Sequence, residues 1–230
     1  MFSYHFPNIV YLLAAGFCHQ QGAHSFFIEG ESLPFCARCT GLYLGYFLAF
    51  LYGLISWRST RLTSPRVAIL LLFYLFIVYF VFDALASLFI SPDFVNNFTR
   101  LLSGLLFGLS IGIIILMAIK FSFRKNNKNQ TNLIGIGGLV ILVLAAIIIF
   151  LGFYYNIKEI MYLAGFLSVA GFLAFLVSFN FLILSIFPKF PRKLASQRGK
   201  YELIGYSFLA MAAEIIFFSV IRNLADLYLL

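Results

Sequence analysis

Charged residues are scarce in this sequence: they make up 10% of its 230 residues, whereas 63% are hydrophobic. Soluble domains are about half apolar and about a quarter charged, so this composition excludes an ordinary soluble globular fold. Acidic residues are fewer than basic ones. There are eight Asp and Glu against sixteen Lys and Arg, which gives a net charge of +8. The basic residues lie in short loops between apolar runs and form no basic domain, so the positive charge does not indicate nucleic-acid binding.

Long apolar runs are what the sequence has instead. Crossing a bilayer takes about 20 residues of helix, and inside lipid the backbone polar groups must bond within the chain. A shorter run, residues 8–17, predicts a half-helix or an interfacial helix. The sequence therefore predicts an all-α integral membrane protein in a lipid bilayer. Its six membrane-spanning helices are expected at residues 34–57, 66–90, 97–121, 132–156, 159–187 and 201–229.

The distribution of Lys and Arg predicts the orientation of these helices. The loops 58–66, 120–128 and 189–200 hold twelve of the sixteen basic residues. Because loops rich in Lys and Arg face the cytoplasm, both termini are expected on the other side. This topology divides the chain into an extracytoplasmic N-terminal segment, a three-helix core and a C-terminal three-helix region. Their bounds are 1–33, 34–121 and 122–230.

Cysteine is scarce too, and its few residues are clustered. Cys18, Cys36 and Cys39 are the only cysteines of the chain, and His19 and His24 lie in the same stretch. Three thiolates and one imidazole form a closed tetrahedral zinc site. The 17 residues between Cys18 and Cys36 let the chain fold back on itself. The three cysteines with His19 or His24 are therefore candidate zinc ligands.

The same cysteines permit two other interpretations. Cys36 and Cys39 form a Cys-x-x-Cys pair at a helix N-terminus, where a thiol pKa is lowered, as in thiol-disulfide oxidoreductases. Such enzymes usually use a second pair as a shuttle, and here only Cys18 is left over. The third interpretation is purely structural: zinc or a disulfide would pin the N-terminal segment to the helices.

Charged residues inside apolar segments are the other candidate functional groups, because a charge in a membrane must be paired or line a wet cavity. One interpretation is a set of structural ion pairs. The other is an outward-facing polar cavity beside the cysteines, with Asp83 and Arg100 as its working groups and Asn97 helping to bind a polar or anionic ligand. The charged residues are Arg38, Asp83, Arg100, Glu214, Arg222 and Asp226.

Two blocks of residues resemble a prokaryotic family of small membrane proteins named domain of unknown function 2085. The resemblance covers about the first half of the chain and implies a prokaryotic cell membrane, but no activity. Where this family usually has Arg, the chain has His24, which favours His19 as the ligand. The first block comprises Cys18, His19, Gln20, Ser25, Phe26, Gly30, Pro34, Cys36, Ala37, Arg38, Cys39, Thr40, Gly41, Tyr43 and Gly45. The second comprises Asp83, Asn97, Arg100, Leu101, Gly104 and Gly108.

The leading hypothesis is a membrane protein in which a zinc site of Cys18, His19, Cys36 and Cys39 organises an outward-facing polar pocket. Arg38, Asp83, Asn97 and Arg100 are candidate catalytic residues of that pocket. No nucleophile–base pair is identifiable, so the sequence leaves open whether the protein is an enzyme. The alternatives are a thiol-disulfide oxidoreductase, a transporter using Glu214 and Asp83, and a non-catalytic subunit of a membrane complex or homo-oligomer.

Overall fold

The computed structural model describes residues 5–56, 67–89, 95–123, 135–186 and 197–228. A short helix, α1, is followed by a 3-10 turn at Gly22–His24 and a small antiparallel hairpin of strands β1 and β2. Six long helices then complete the described chain. The elements are α1 (Asn8–Ala15), β1 (Phe27–Ile28), β2 (Glu31–Ser32), α2 (Ala37–Ser56), α3 (Val67–Phe89), α4 (Asn97–Phe123), α5 (Ile136–Tyr154), α6 (Lys158–Ile186) and α7 (Gln197–Tyr228).

The six long helices, α2 to α7, are each long and apolar enough to cross a membrane. They confirm the predicted fold class and number of spans. The largest shifts of a boundary, four residues each, are at the start of α5, which begins at Ile136 after Gly135 in an extended conformation, and at the start of α7, which begins at Gln197. The two-stranded hairpin was not predicted. The orientation stays a prediction, because most of the three basic loops lies outside the described residues.

Helices α2 and α4 form the tightest contact of the bundle, and glycines make it possible. A Cβ atom on Gly41 would collide with the carbonyl oxygen of Leu101, and one on Gly104 would collide with that of Arg38. Gly45 and Gly108 make equivalent contacts one turn further along. Small residues at this spacing let helix backbones touch. The two helices run parallel, so both begin at the same end of the bundle.

The described chain before α2, residues 5–36, includes most of the N-terminal segment and lies across that end of the bundle. Asn97, the first residue of α4, donates a hydrogen bond to the carbonyl oxygen of Ser25 (3.2 Å). Lys158, the first residue of α6, pairs with Glu29 of the hairpin turn (2.9 Å). Arg222, near the end of α7, bonds to the C-terminal end of α1. The segment is therefore fixed to three helices and brings Cys18 and His19 over the start of α2.

Candidate metal centre

Two thiols and an imidazole meet at the start of α2, beside the third thiol of the chain. The ligand atoms of Cys18, His19 and Cys36 all lie within 4.8 Å of one another. Sulfur ligands of a tetrahedral zinc ion are about 3.8 Å apart, so side chains in this arrangement need only small adjustments to hold one. Cys18 and His19 are separated from Cys36 in the sequence, with 17 residues between the two cysteines. The structure thus brings together residues that the sequence only suggested could meet.

Cys39 lies beside this group without being part of it. Its thiol is close to those of Cys18 and Cys36, but the set of atoms within 4.8 Å of one another does not include it. Cys36 and Cys39 are one helical turn apart, which places both on the face of α2 that meets Cys18. All three cysteines are free thiols. Cys39 therefore lies on the face of α2 where a fourth ligand would be needed.

The backbone around Cys18 is shaped to hold its sulfur in place. Gln20 has a positive φ of 51°, a conformation that turns the chain sharply after His19. The Gln20 side chain donates hydrogen bonds to the carbonyl oxygens of Tyr11 and Pro34, both 3.0 Å long. The backbone N–H of Cys36 donates to the Cys18 sulfur at 3.2 Å. Gln20 therefore ties the end of α1 to the segment that leads into α2.

The cluster stabilises one negative charge on sulfur. Hydrogen bonds from Cys36 and then Cys39 lower the pKa of Cys18 well below its usual range. The hydrogen bond to Cys18 raises the pKa of Cys36. Thiolates, not thiols, are the form that binds metals. The Cys18 sulfur is thus the most electron-rich donor of the group.

His19 is oriented by His24. The Nε2 atom of His19 lies 3.0 Å from the Nδ1 atom of His24. Burial, followed by the positive charge of Arg100, lowers the pKa of His24 and favours its neutral form, which can accept a hydrogen bond. We assign the shared proton to Nε2 of His19, which leaves its Nδ1 atom as the available metal donor. Histidine ligands commonly donate their other N–H in this way.

Arg38 and Asp83 form a buried ion pair between α2 and α3. Nε and Nη2 of Arg38 donate to one carboxylate oxygen of Asp83, at 3.0 and 2.5 Å. The hydroxyl of Ser103 on α4 donates to the same oxygen at 3.0 Å. The Asp83 side chain is 3% exposed and that of Arg38 is 21% exposed. Asp83 therefore holds three helices together.

Arg100 and Asn97 occupy the first turn of α4. Arg100 is buried, as its position one turn before Gly104 predicts, and its Nη1 donates to Oδ1 of Asn97 at 3.2 Å. The amide nitrogen of Asn97 donates to the carbonyl oxygens of Ala23 and Ser25 in the turn that carries His24. Asn97 thus connects Arg100 to the turn beside the cysteines.

A cavity of about 390 Å³ adjoins the cluster. Two histidines, two cysteines and two arginines contribute to its wall. Neither Asp83 nor Asn97 is among the lining residues that the structure describes, so both sit behind the wall, and their roles stay a prediction. The lining residues are His19, Gln21, His24, Cys36, Arg38, Cys39, Ala84, Ser87, Leu88 and Arg100.

The charges of α7 have partners that the sequence did not identify. Glu214 accepts a hydrogen bond from the side chain of Asn180 on α6 (3.0 Å). Arg222 donates to the carbonyl oxygens of Ala15 and Cys18. The side chain of Asp226 lies outside the described residues. Gln20 and Ser103 also make contacts that residue spacing in the sequence does not reveal. Gln20 nevertheless belongs to the first block of residues that resembles the family.

The fold and the cluster together define a multi-pass α-helical membrane protein with cysteine and histidine side chains gathered at one end of its bundle. Residues 18–114 match a family described as a predicted membrane protein, DUF2085. The resemblance to this family is thereby confirmed over this segment, which runs from Cys18 into α4 and holds every candidate ligand.

One relative is similar over a comparable length. An uncharacterized protein of Methanothermobacter thermautotrophicus is 35% identical over 85 residues, which is 37% of this chain. The alignment spans 60% of the relative's own length. No solved structure matches the chain.

Proposed function

We propose that Cys18, His19, Cys36 and Cys39 bind one zinc ion at the extracytoplasmic end of a prokaryotic cell-membrane protein. The observation that carries this proposal is the convergence of Cys18, His19 and Cys36 from two distant points of the chain, with their ligand atoms within 4.8 Å of one another. Soft thiolate donors with an imidazole suit zinc. The N–H of Cys36 that points at the Cys18 sulfur adds support, because a thiolate ligand needs such donors.

The proposed role of the site is to hold one wall of the adjoining cavity. Zinc with four protein ligands has no open position for substrate, so it acts as a cross-link. The cross-link would tie the N-terminal segment to α2 and keep His24 and Gln21 facing Arg38 and Arg100. The binding chemistry is then left to the polar side chains of the cavity.

Zinc content and thiol reactivity test the proposal. The protein is purified in a maltoside detergent without chelator or reductant. We expect about one zinc per chain and thiols that react only after chelation. His19→Ala and Cys18→Ser should each lose most of the zinc. His5→Ala is the matched control, because His5 is exposed and bonded to Glu31. Zinc retention in His19→Ala equal to that in His5→Ala would contradict the assignment of His19.

A thiol-disulfide oxidoreductase is the second candidate. It is favoured by the position of Cys36 and Cys39, which both line the cavity as free thiols. Their oxidation to a disulfide would release two electrons and two protons, which a substrate disulfide would take up to become two thiols. Metal-free protein with a Cys36–Cys39 disulfide, and a mixed disulfide trapped in Cys39→Ser, would favour this function over the zinc site.

A further inference from the structure

Arg100 has more hydrogen-bond donors than the protein satisfies. A guanidinium carries five N–H donors. Arg100 is only 6% exposed, and the one hydrogen bond of its side chain within the described part of the chain runs from Nη1 to Asn97. A buried cation with unfilled donors is costly unless an acceptor reaches it. The remaining donors of Arg100 therefore call for an anion in the cavity that it lines.

Arg38 presents a second set of donors to the same cavity. Its Nε and Nη2 atoms are engaged by Asp83, whereas no described residue accepts from Nη1. Asp83 stands behind the wall, and no Asp or Glu is among the described residues that line the cavity. Two guanidinium groups thus face a space of about 390 Å³ without a carboxylate inside it.

The cavity adjoins the first turns of α2 and α4, and the ends of membrane-spanning helices are expected near the level of lipid phosphate groups. Arg38 is the second residue of α2, and Arg100 is the fourth residue of α4. One turn of helix rises about 5.4 Å, so both arginines are within a few ångströms of the ends of their helices. Leu88 of α3, which is 76% exposed, also lines the cavity, so the cavity reaches the apolar surface that meets lipid.

We infer that the cavity binds a phosphate group, held by Arg100 and by the Nη1 atom of Arg38. Guanidinium groups recognise phosphate through paired, charge-assisted hydrogen bonds. The phosphate could belong to a lipid headgroup or to a soluble ion, and the probes below separate these sources. The inference goes beyond the proposed function, because Arg38 and Arg100 would hold the phosphate whether or not a metal occupies the cysteine cluster.

Binding is measured on maltoside-purified protein whose zinc content has been determined on the same sample. The soluble probe is inorganic phosphate, titrated by calorimetry. The lipid probes are dioleoyl phosphatidic acid and dioleoylglycerol, compared by native mass spectrometry. Dioleoylglycerol has the same chains without the phosphate. Binding of phosphatidic acid but not of inorganic phosphate would identify a lipid headgroup, and binding of inorganic phosphate would identify a soluble ligand.

Arg100→Gln removes the positive charge and the paired N–H donors of the guanidinium. It should weaken binding of the phosphate probe at least about tenfold. Lys158→Gln is the matched control, because Lys158 begins α6 at the same end of the bundle and its side chain is 48% exposed. It should bind like the wild type. Arg100→Lys keeps the charge but lacks the paired donors, so it should bind the phosphate probe with intermediate affinity. This variant replaces Arg100→Gln if Arg100→Gln fails to fold.

Three outcomes separate this inference from the metal proposal. Zinc-loaded protein that binds neither phosphate probe overturns the phosphate site alone. Phosphate binding by protein that contains no metal overturns the zinc site alone and supports the cavity. Equal loss of binding in Arg100→Gln and Lys158→Gln overturns the phosphate site, because it would show attraction to surface charge and not to this cavity.

Discussion

The guanidinium of Arg222 on α7 donates hydrogen bonds to the carbonyl oxygens of Ala15 and Cys18. The carbonyl of Ala15 is the last of α1, where a cation is favourable, and that of Cys18 lies in the loop that follows. A residue near the far end of the chain thus fixes the loop that carries two candidate ligands. Helix α7 is otherwise peripheral, with only 6% of its membrane span buried in the protein.

Removal of the Arg222 hydrogen bonds, which we call the Arg222 clamp, should loosen the loop that carries Cys18. Arg222→Gln is expected to speed the removal of zinc by a chelator about tenfold or more, because groups that orient ligands contribute about 10- to 100-fold to metal affinity. In metal-stripped protein the same variant should make Cys18 more reactive toward an alkylating reagent. Arg198→Gln is the control on the same helix, since the Arg198 side chain is 93% exposed. Unchanged kinetics in Arg222→Gln would show that the clamp does not position Cys18.

The ion pair of Arg38 and Asp83 should behave as a unit. Asp83→Ala leaves the partly exposed guanidinium of Arg38 without its carboxylate partner and should lower the free energy of unfolding by about 1–3 kcal/mol. The double variant Arg38→Met/Asp83→Ala removes both charges and should lose less than the sum of the two single variants. Thermal unfolding in detergent measures all three variants. Strictly additive losses would contradict the pairing.

The close contact between α2 and α4 leads to a prediction about Gly104. A Cβ atom there would meet the backbone of Arg38 and Leu42, which cannot rotate away. Gly104→Ala is therefore expected to destabilise the protein by about 1–3 kcal/mol, the usual cost of overpacking. A Cβ atom on Gly205 of α7 would meet no other atom within 4 Å. Gly205→Ala should stabilise the helix by up to about 1 kcal/mol, and the two unfolding midpoints should move in opposite directions.

His24 is expected to act through His19. His24→Ala removes the acceptor that orients the His19 ring, and it should lower zinc affinity about 10- to 100-fold without abolishing binding. His24→Gln retains a hydrogen-bond acceptor and should recover part of the affinity. Competition with a chromophoric chelator measures both. Zinc affinity equal to that of the wild type in His24→Ala would remove His24 from the site.

The sequence predicted the architecture well because membrane burial requires long apolar runs. The ends of α3, the start of α4 and the whole of α6 fall within one residue of the predicted bounds. The burial of Arg100 was also predictable, since helical spacing places it on the face of Gly104. These conclusions depend only on composition and on local periodicity.

The detailed contacts of the site were not predictable, because they join distant parts of the chain. Nothing near Arg222 in the sequence indicates that it reaches Cys18, and nothing near Asp83 indicates that Arg38 and Ser103 share it. The expected exposure of Asp83 to the cavity followed from treating a membrane charge as a working group. In the structure one oxygen of its carboxylate already accepts hydrogen bonds from Arg38 of α2 and Ser103 of α4. Only the three-dimensional structure reveals which charged side chains have hydrogen-bond donors that no described residue accepts.

The coordination of zinc in the protein as isolated tests the central claim most directly. X-ray absorption at the zinc edge should show about three sulfur ligands near 2.3 Å and about one nitrogen ligand near 2.0 Å. That result would establish Cys18, Cys36, Cys39 and one histidine as the ligands, and His19→Ala should remove the nitrogen. Protein without zinc, with Cys36 and Cys39 joined in a disulfide, would contradict the account.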